Sequence, residues 1–279
     1  MPINHIPPLN VTAILKRHGL RADKSLGQNF LQDPFALEKI VAAAQIEPTD
    51  IVLEIGPGLG SLTRHLAASA KEVIAVELDQ ELLAPLQSVL SPYQNVQVIQ
   101  GDILKLSLED LINTNDYLVV ANIPYYITSA VIRHLLESAA KPRRIVLTIQ
   151  KEVAERICAK PGDLSLLALS VQVYGEPHIT DRIPAEAFFP APKVDSAILR
   201  INIYPRPKIK AELLGSFFKL IKAGFSQKRK TLRNSLSSGL HITPIVAEEM
   251  LTKAKIDPKL RAETLRIEEW ERLCEIVNQ

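Results

Sequence analysis

Ile51-Val52-Leu53-Glu54-Ile55 runs straight into Gly56-Pro57-Gly58-Leu59-Gly60, and the fold turns on how that junction is read. A short β-branched, apolar run suits a strand covered on both faces, the usual setting of a parallel sheet. The glycine turn brings the backbone close to a ligand because no Cβ intervenes. Ser61 to Ala70 then reads as a helix. Strand, tight turn and helix in direct succession are the opening of a βαβ unit.

Outward from this unit the alternation repeats. Phe35 to Ala44 reads as an amphipathic helix before it, and strands follow at Val73–Glu77, Val96–Ile99, Tyr117–Ala121 and Arg144–Ile149. Helices at Gln80–Leu90 and Ser129–Ser138 separate them. The pattern predicts an α/β fold, a mainly parallel sheet with helices on both faces. Leu164–Tyr174 is helix-like, and Asp195–Tyr204 alternates as a strand expected to finish the sheet. Pro205-Arg206-Pro207 then breaks the chain, since two prolines around one residue suit an extended linker. Four helical stretches follow, at Ala211–Ala223, Arg229–Ser237, Pro244–Ala254 and Ile267–Asn278. Two domains are expected: an α/β domain over residues 1–205 and a small all-α domain over 206–279.

Bulk composition narrows the classes. The 279 residues are 47% hydrophobic and 23% charged, enough for a sizeable core without an apolar run able to span a bilayer. The start, Met1-Pro2-Ile3-Asn4-His5-Ile6-Pro7-Pro8, lacks the basic and apolar blocks of a secretory leader. Cys158 and Cys274 stand far apart with no CxxC or His partner nearby. Neither a disulfide framework nor a metal site is expected, and a cytoplasmic setting is. The net charge of +2 conceals an asymmetry. Residues 206–279 carry 15 Lys and Arg against 9 Asp and Glu, a net of +6 that leaves −4 for the remainder. A basic C-terminal quarter suits either phosphate contact or a solvated basic face.

Four residues fall at predicted strand ends: Gly56, Glu77, Asp102 and Asn122. Open α/β sheets bind ligands at the carboxyl ends of their strands, so these four should converge on one crevice. Glu77 stands 21 residues beyond Gly56, a usual separation for a carboxylate that accepts from ribose hydroxyls. Asp102 could accept from an adenine amine. The glycines run G-x-G-x-G, not the G-x-G-x-x-G of a dinucleotide fold, so the ligand needs no pyrophosphate cradle. A tight structural turn is the bland alternative for the glycines alone.

Asn122-Ile123-Pro124-Tyr125 leaves the fourth strand. The exocyclic amine of adenine is a poor nucleophile, and chemistry on it requires acceptors for its N–H bonds. The Asn122 side chain offers one carbonyl, and the main chain at or before Pro124 offers another, held by the fixed proline φ. Tyr125 supplies a flat face on which a base can stack. Asn and Pro also favour plain turns, so the tetrapeptide by itself decides little. Phe188-Phe189-Pro190-Ala191-Pro192 precedes the last strand; Phe188 is either a second stacking face for an extruded base or an ordinary core residue.

These residues carry a resemblance. Lys24-Ser25-Leu26-Gly27-Gln28-Asn29-Phe30-Leu31, Leu53–Gly60, Val76-Glu77-Leu78-Asp79, Gly101-Asp102, Asn122-Ile123-Pro124-Tyr125-Tyr126, Phe188-x-Pro190-x-Pro192-x-Val194-Asp195-Ser196 and Phe225–Asn234 occur in order over nearly the whole chain. The chain resembles the small-subunit ribosomal RNA adenine N6,N6-dimethyltransferases, relatives of the erythromycin-resistance rRNA methylases and of mitochondrial transcription factor B. Ile123 stands where many relatives have Leu. The resemblance implies a Rossmann-like methyltransferase sheet using S-adenosylmethionine as methyl donor. It implies donor contacts at Asn29, Leu31, Gly56, Glu77, Asp102 and Asn122, and action on the target base by Asn122, Tyr125 and Phe188. It makes residues 17–32 a flap over donor and RNA, where the residues alone read as a flexible arm. Arg17, Arg21 and Lys24 there, and Lys228-Arg229-Lys230 with Arg233, are candidate phosphate contacts.

The implied reaction is dimethylation of two adjacent adenosines in the 3′-terminal hairpin loop of small-subunit rRNA, during ribosome biogenesis. The implied partner is that rRNA within an immature small subunit, met by a monomer without membrane attachment. A methylase of large-subunit rRNA and a non-enzymatic transcription factor are the competing readings. The full-size basic C-terminal domain argues against the first, and the intact Asn122–Tyr125 segment against the second.

Overall fold

A computed structural model describes residues 6–112, 114 and 116–278; the leader reading at Met1–His5 lies outside them. The chain opens with helix α1 (Val11–Arg17) and the two-residue strand β1 (Phe30–Leu31), then α2 (Pro34–Ala44), β2 (Ile51–Ile55) and α3 (Ser61–Ala67). It continues through β3 (Glu72–Glu77), α4 (Gln80–Leu90), β4 (Val96–Gln100), α5 (Leu108–Leu111), β5 (Leu118–Asn122), α6 (Thr128–Glu137) and β6 (Arg144–Gln150). Next come α7 (Lys151–Ile157), α8 (Leu166–Gln172), β7 (Gly175–Ile183), β8 (Phe188–Phe189) and β9 (Ser196–Ile203). Four longer helices end the chain: α9 (Leu214–Gly224), α10 (Leu232–Leu240), α11 (Pro244–Lys253) and α12 (Ile267–Val277).

Seven strands form one sheet in the order β4-β3-β2-β5-β6-β9-β7. β2 runs parallel to both β3 and β5, β3 to β4, and β5 to β6. From β2 the chain winds outward through β3 and β4, then returns to the other side of β2 at β5. That reversal opens a crevice above the carboxyl ends of β2 and β5. Val52, Leu53, Val73, Val119 and Val120 are wholly buried, as strands covered on both faces must be. The expected alternation and the α/β class are both present.

Two features of the sheet differ from the expectation. β9 lies where the Asp195–Tyr204 pattern put a strand, and it pairs antiparallel to β6, but it does not finish the sheet. β7 does, and the sequence reading missed it. As an edge strand it leaves Glu176 and Asp181 partly in solvent and contains Pro177, so it lacks the apolar run that marks the interior strands. The second two-stranded sheet, β1 with β8, sets Leu31 opposite Phe188. Two residues per strand give no period to read.

The chain forms two compact units. One takes in the chain up to Ala154 and returns for His178–Ile203; the other comprises Glu155–Pro177 and Tyr204–Gln279. The helical unit thus starts two residues earlier than residue 206 and also recruits α8. Its interior is built on α9, where Phe217 and Ile221 are fully buried and Phe218 stacks on Tyr174 with ring centroids 6.2 Å apart. Trp270 of α12 is fully buried and stacks on Phe225 at 6.3 Å. Among the described residues no helix is long and apolar enough to cross a membrane.

Candidate active site

The carboxyl ends of β2, β3, β4 and β5 and the segment Leu26–Leu31 enclose one cavity. Gly56, Glu77, Asp102 and Asn122 all line it, with Asn29, Leu31 and Tyr125. The strand ends therefore bring these four residues together. Gly56 has φ +69°, and a Cβ built on it would meet nothing within 4 Å. What the glycine supplies is the left-handed backbone and an open wall, not relief from a clash.

Glu77 ends β3 and is 6% exposed. Its carboxylate accepts from Gly58 N–H and Asp79 N–H, both at 2.9 Å, so the glycine turn and the carboxylate orient each other. Burial raises its pKa above the ordinary glutamate value, with those two N–H groups pulling the other way. Glu54, four residues into β2, is 1% exposed and also reaches the cavity wall. Burial pushes its carboxyl up to about 8, opposed by the Thr63 hydroxyl and reinforced by the charge of Glu77. Its Oε2 has no hydrogen-bond partner. Asp102 accepts from Leu104 N–H at 3.1 Å and pairs with Lys105 at 3.5 Å. Among the described residues no Lys, Arg or His lines the cavity, while the carboxyls of Glu54, Glu77 and Asp102 do. A cationic ligand with hydroxyls suits such a wall; an anionic one does not.

The segment from Lys24 to Leu31 is tied down at several points. Gln28 Nε2 donates to Asp79 Oδ2 at 2.6 Å, and Asn122 Nδ2 donates to the Asn29 carbonyl at 3.1 Å. Phe30 and Leu31 are buried and held by β1–β8 pairing. Gly27, with φ +64°, lies so close to the tip of β5 that an added Cβ would sit 3.3 Å from the Tyr126 ring and 3.4 Å from Pro124. A flexible arm would make none of these contacts. Arg17, Arg21 and Lys24 are exposed.

Asn122 is the last residue of β5, one place further into the strand than the sequence suggested. Its Nδ2 is committed to Asn29, which leaves Oδ1 available as an acceptor. The Pro124 carbonyl accepts from Ile127 N–H at 3.2 Å, closing the 3-10 turn Tyr125–Ile127. Of the two main-chain carbonyls the sequence left open, the one at Pro124 thus already accepts one hydrogen bond. The Tyr125 hydroxyl lies 2.7 Å from Ser196 Oγ, a side chain with no exposure. Burial raises the Tyr125 pKa, countered by Ser196 and helped by Asp195.

Phe188 stands apart from this group. It is 3% exposed, packs in the core cluster with Leu31, Ala36, Leu37 and Ile40, and does not line the cavity. The core alternative describes its position here. Glu54, Gln28, Asp79, Tyr126 and Ser196 belong to the site or its frame without having been singled out by role. Their signal was only that each lay inside a quoted motif. In the helical unit Lys228, Arg229 and Lys230 are exposed, whereas Arg233 pairs with Glu248 at 2.9 Å.

A sequence profile described as ribosomal RNA adenine dimethylase matches residues 19–279. The chain is 48% identical over 262 residues to a ribosomal RNA small subunit methyltransferase A of Dehalococcoides mccartyi (strain CBDB1), covering 94% of this chain and 90% of that one. It is 43% identical over 279 residues to the protein of the same name from Alkaliphilus metalliredigens (strain QYMF), covering 98% and 97%. Among solved structures, a dimethyladenosine transferase from Plasmodium falciparum aligns with a TM-score of 0.75 at 28% identity, over 89% and 97% of the two chains. The 23S rRNA methyltransferase ErmE aligns with a TM-score of 0.71 at 30% identity, over 90% and 100%.

Proposed function

The chain belongs to the ribosomal RNA adenine dimethylase family, and from that premise we propose that it dimethylates N6 of two adjacent adenosines in the 3′-terminal hairpin loop of small-subunit rRNA. Its methyl donor is S-adenosylmethionine, which supplies a methyl group already activated on a sulfonium. The observation that carries the reading is a cavity lined by carboxyls, with no basic side chain among the described residues of its wall, that also takes in Asn122 and Tyr125. Such a wall matches a donor bearing sulfonium and ammonium charges. The identity of 48% to a small-subunit enzyme, against 30% to the large-subunit methylase ErmE, favours the small-subunit target.

Each residue then takes a role from its own chemistry. Glu77 accepts from the donor's ribose hydroxyls, with Gly56 and Gly58 giving the backbone its close approach. Asp102 accepts from the donor's adenine amine, and Asn29 and Leu31 close the flap over it. Asn122 Oδ1 and the Ile123 carbonyl accept the two N–H bonds of the target amine. That draws them toward the acceptors and returns electron density to nitrogen. Tyr125 stacks on the target base, worth about 1–3 kcal/mol by comparison with other base–aromatic platforms. Phe188 serves as the second face only if its side chain leaves the core; otherwise it supports the flap through Leu31, its partner in the β1–β8 pair. Transfer itself needs positioning and electrostatics more than a strong base.

Lys228, Arg229 and Lys230 contact the RNA backbone, as do Arg17, Arg21 and Lys24 of the flap. We read residues 206–279 as the RNA-binding domain, and the protein as a cytoplasmic monomer acting on an immature small subunit. Incubation with labelled donor and immature small subunits, large subunits or free RNA, followed by mapping of modified bases, tests the reading. N6,N6-dimethyladenine at two neighbouring positions of the small-subunit 3′ hairpin is expected. Labelling confined to large-subunit RNA would overturn it.

A further inference from the structure

Tyr126 follows the stacking residue Tyr125 and leaves 62% of its surface exposed. It lines the same cavity. Its ring is not loose, because one edge rests where Gly27 lacks a side chain, 3.3 Å from the position a Cβ would take. The 3-10 turn Tyr125–Ile127 fixes the backbone beneath it. No aromatic pair among the described residues involves this ring. A held but uncovered aromatic beside a nucleobase site is the form of a stacking platform.

We propose that Tyr126 forms a second nucleobase subsite, which stacks the nucleotide covalently next to the adenosine held against Tyr125. The inference rests on the RNA-adenosine reading above and names what that site binds beyond the target base. Extruding one base leaves its neighbour without a stacking partner, tethered one phosphodiester from the extruded nucleotide. Consecutive residues have Cα atoms about 3.8 Å apart, so Tyr126 lies within reach of that neighbour. Stacking ignores the hydrogen-bonding edge of a base. The platform therefore works whether the first or the second adenosine occupies the pocket, and whether or not its neighbour already carries methyl groups. An enzyme for two adjacent adenosines needs that tolerance.

The test uses Tyr126→Ala, Tyr126→Leu, Tyr126→Phe and Tyr126→Trp in the full chain, each a change at an exposed position. Affinity for a synthetic hairpin with two adjacent loop adenosines is measured by fluorescence anisotropy, and donor affinity by calorimetry without RNA. Ala and Leu should weaken hairpin binding about tenfold, within the range of one lost base–aromatic stack. Phe and Trp should bind as the parent does, and donor affinity should not move in any of the four. Making the neighbouring nucleotide abasic should cost the parent as much as Tyr126→Ala does, with no further loss when the two are combined. Parental hairpin affinity in Tyr126→Ala would overturn the proposal. So would a loss confined to donor affinity, which would make the ring a rest for the flap, or losses that multiply when combined. If the parent protein methylates no RNA, the functional reading itself fails and this inference with it, a result the parent alone reveals.

Discussion

The Asn122 side-chain amide donates to the Asn29 main-chain carbonyl at 3.1 Å, joining positions 93 residues apart. The bond does two things at once. It ties the segment Leu26–Leu31 to the tip of β5, and it commits the Asn122 NH2 while leaving Oδ1 able to accept. A carboxamide that spends its NH2 on Asn29 presents its oxygen elsewhere, and the proposed role toward an adenine amine needs that oxygen. In the proposed reaction, closing the flap and orienting the acceptor are thus one event.

Asn122→Ala should reduce turnover on the order of 10²- to 10³-fold, the usual loss when one preorganised polar group at a reacting centre is removed. The circular dichroism spectrum should stay as it is. Asn122→Asp separates the two functions, because a carboxylate accepts but cannot donate to Asn29. It should lose donor affinity, read by calorimetry, while keeping more turnover at saturating donor than Asn122→Ala does. Near-normal turnover in Asn122→Ala would sink the assigned role.

Gly27→Ala places a Cβ where φ is +64° and where Tyr126 and Pro124 lie 3.3 and 3.4 Å away. The left-handed backbone costs a side chain roughly 1–2 kcal/mol, before the contacts are counted. The flap should open, weakening donor binding by about 5- to 30-fold while thermal stability falls little. Unchanged donor affinity would mean that flap closure is not coupled to the cavity.

How much of this was legible follows from what leaves a local signal. β2 with its glycine turn has an apolar run and three glycines within five residues, and the strand-end residues then follow from topology alone. The flap contacts join Gln28 to Asp79 and Asn29 to Asn122 across long stretches of chain. No period encodes a partner that far away, so the residues by themselves read as an arm. The Phe188 side chain faces the core through a two-residue pairing with Leu31. Its motif could not say which way the ring turns. Edge strand β7 was missed because its half-solvated residues imitate a loop.

Glu54 offers a pH test with a definite sign. Its carboxyl is raised to about 8 by burial, so the folded state holds that proton more tightly than the unfolded chain does. The resulting stability is fully present below about pH 4.5, the unfolded value, and is lost as pH rises through about 8. Glu54→Gln removes the titration while keeping the shape. In urea denaturation without donor, the variant should gain on the parent as pH rises from 5 to 9, reaching a few kcal/mol. Parallel stability curves for the two proteins would show that Glu54 ionises normally.

Gly239 and Gly215 sit in neighbouring helices of the helical unit, and helix propensity predicts the same outcome for both. Replacing a helical glycine with alanine ordinarily stabilises, by up to about 1 kcal/mol. At Gly215 a Cβ would meet nothing within 4 Å, so the ordinary gain should appear. At Gly239 it would lie 2.6 Å from Ala223 Cα and 3.0 Å from its carbonyl oxygen. Backbone atoms cannot rotate away, so α9 and α10 must separate. Overpacking of that kind costs about 1–3 kcal/mol or more, which exceeds the propensity gain. Thermal denaturation should show Gly215→Ala melting above the parent and Gly239→Ala below it. If both melt above the parent, the close approach of α9 and α10 at Gly239 is not required for the unit's stability.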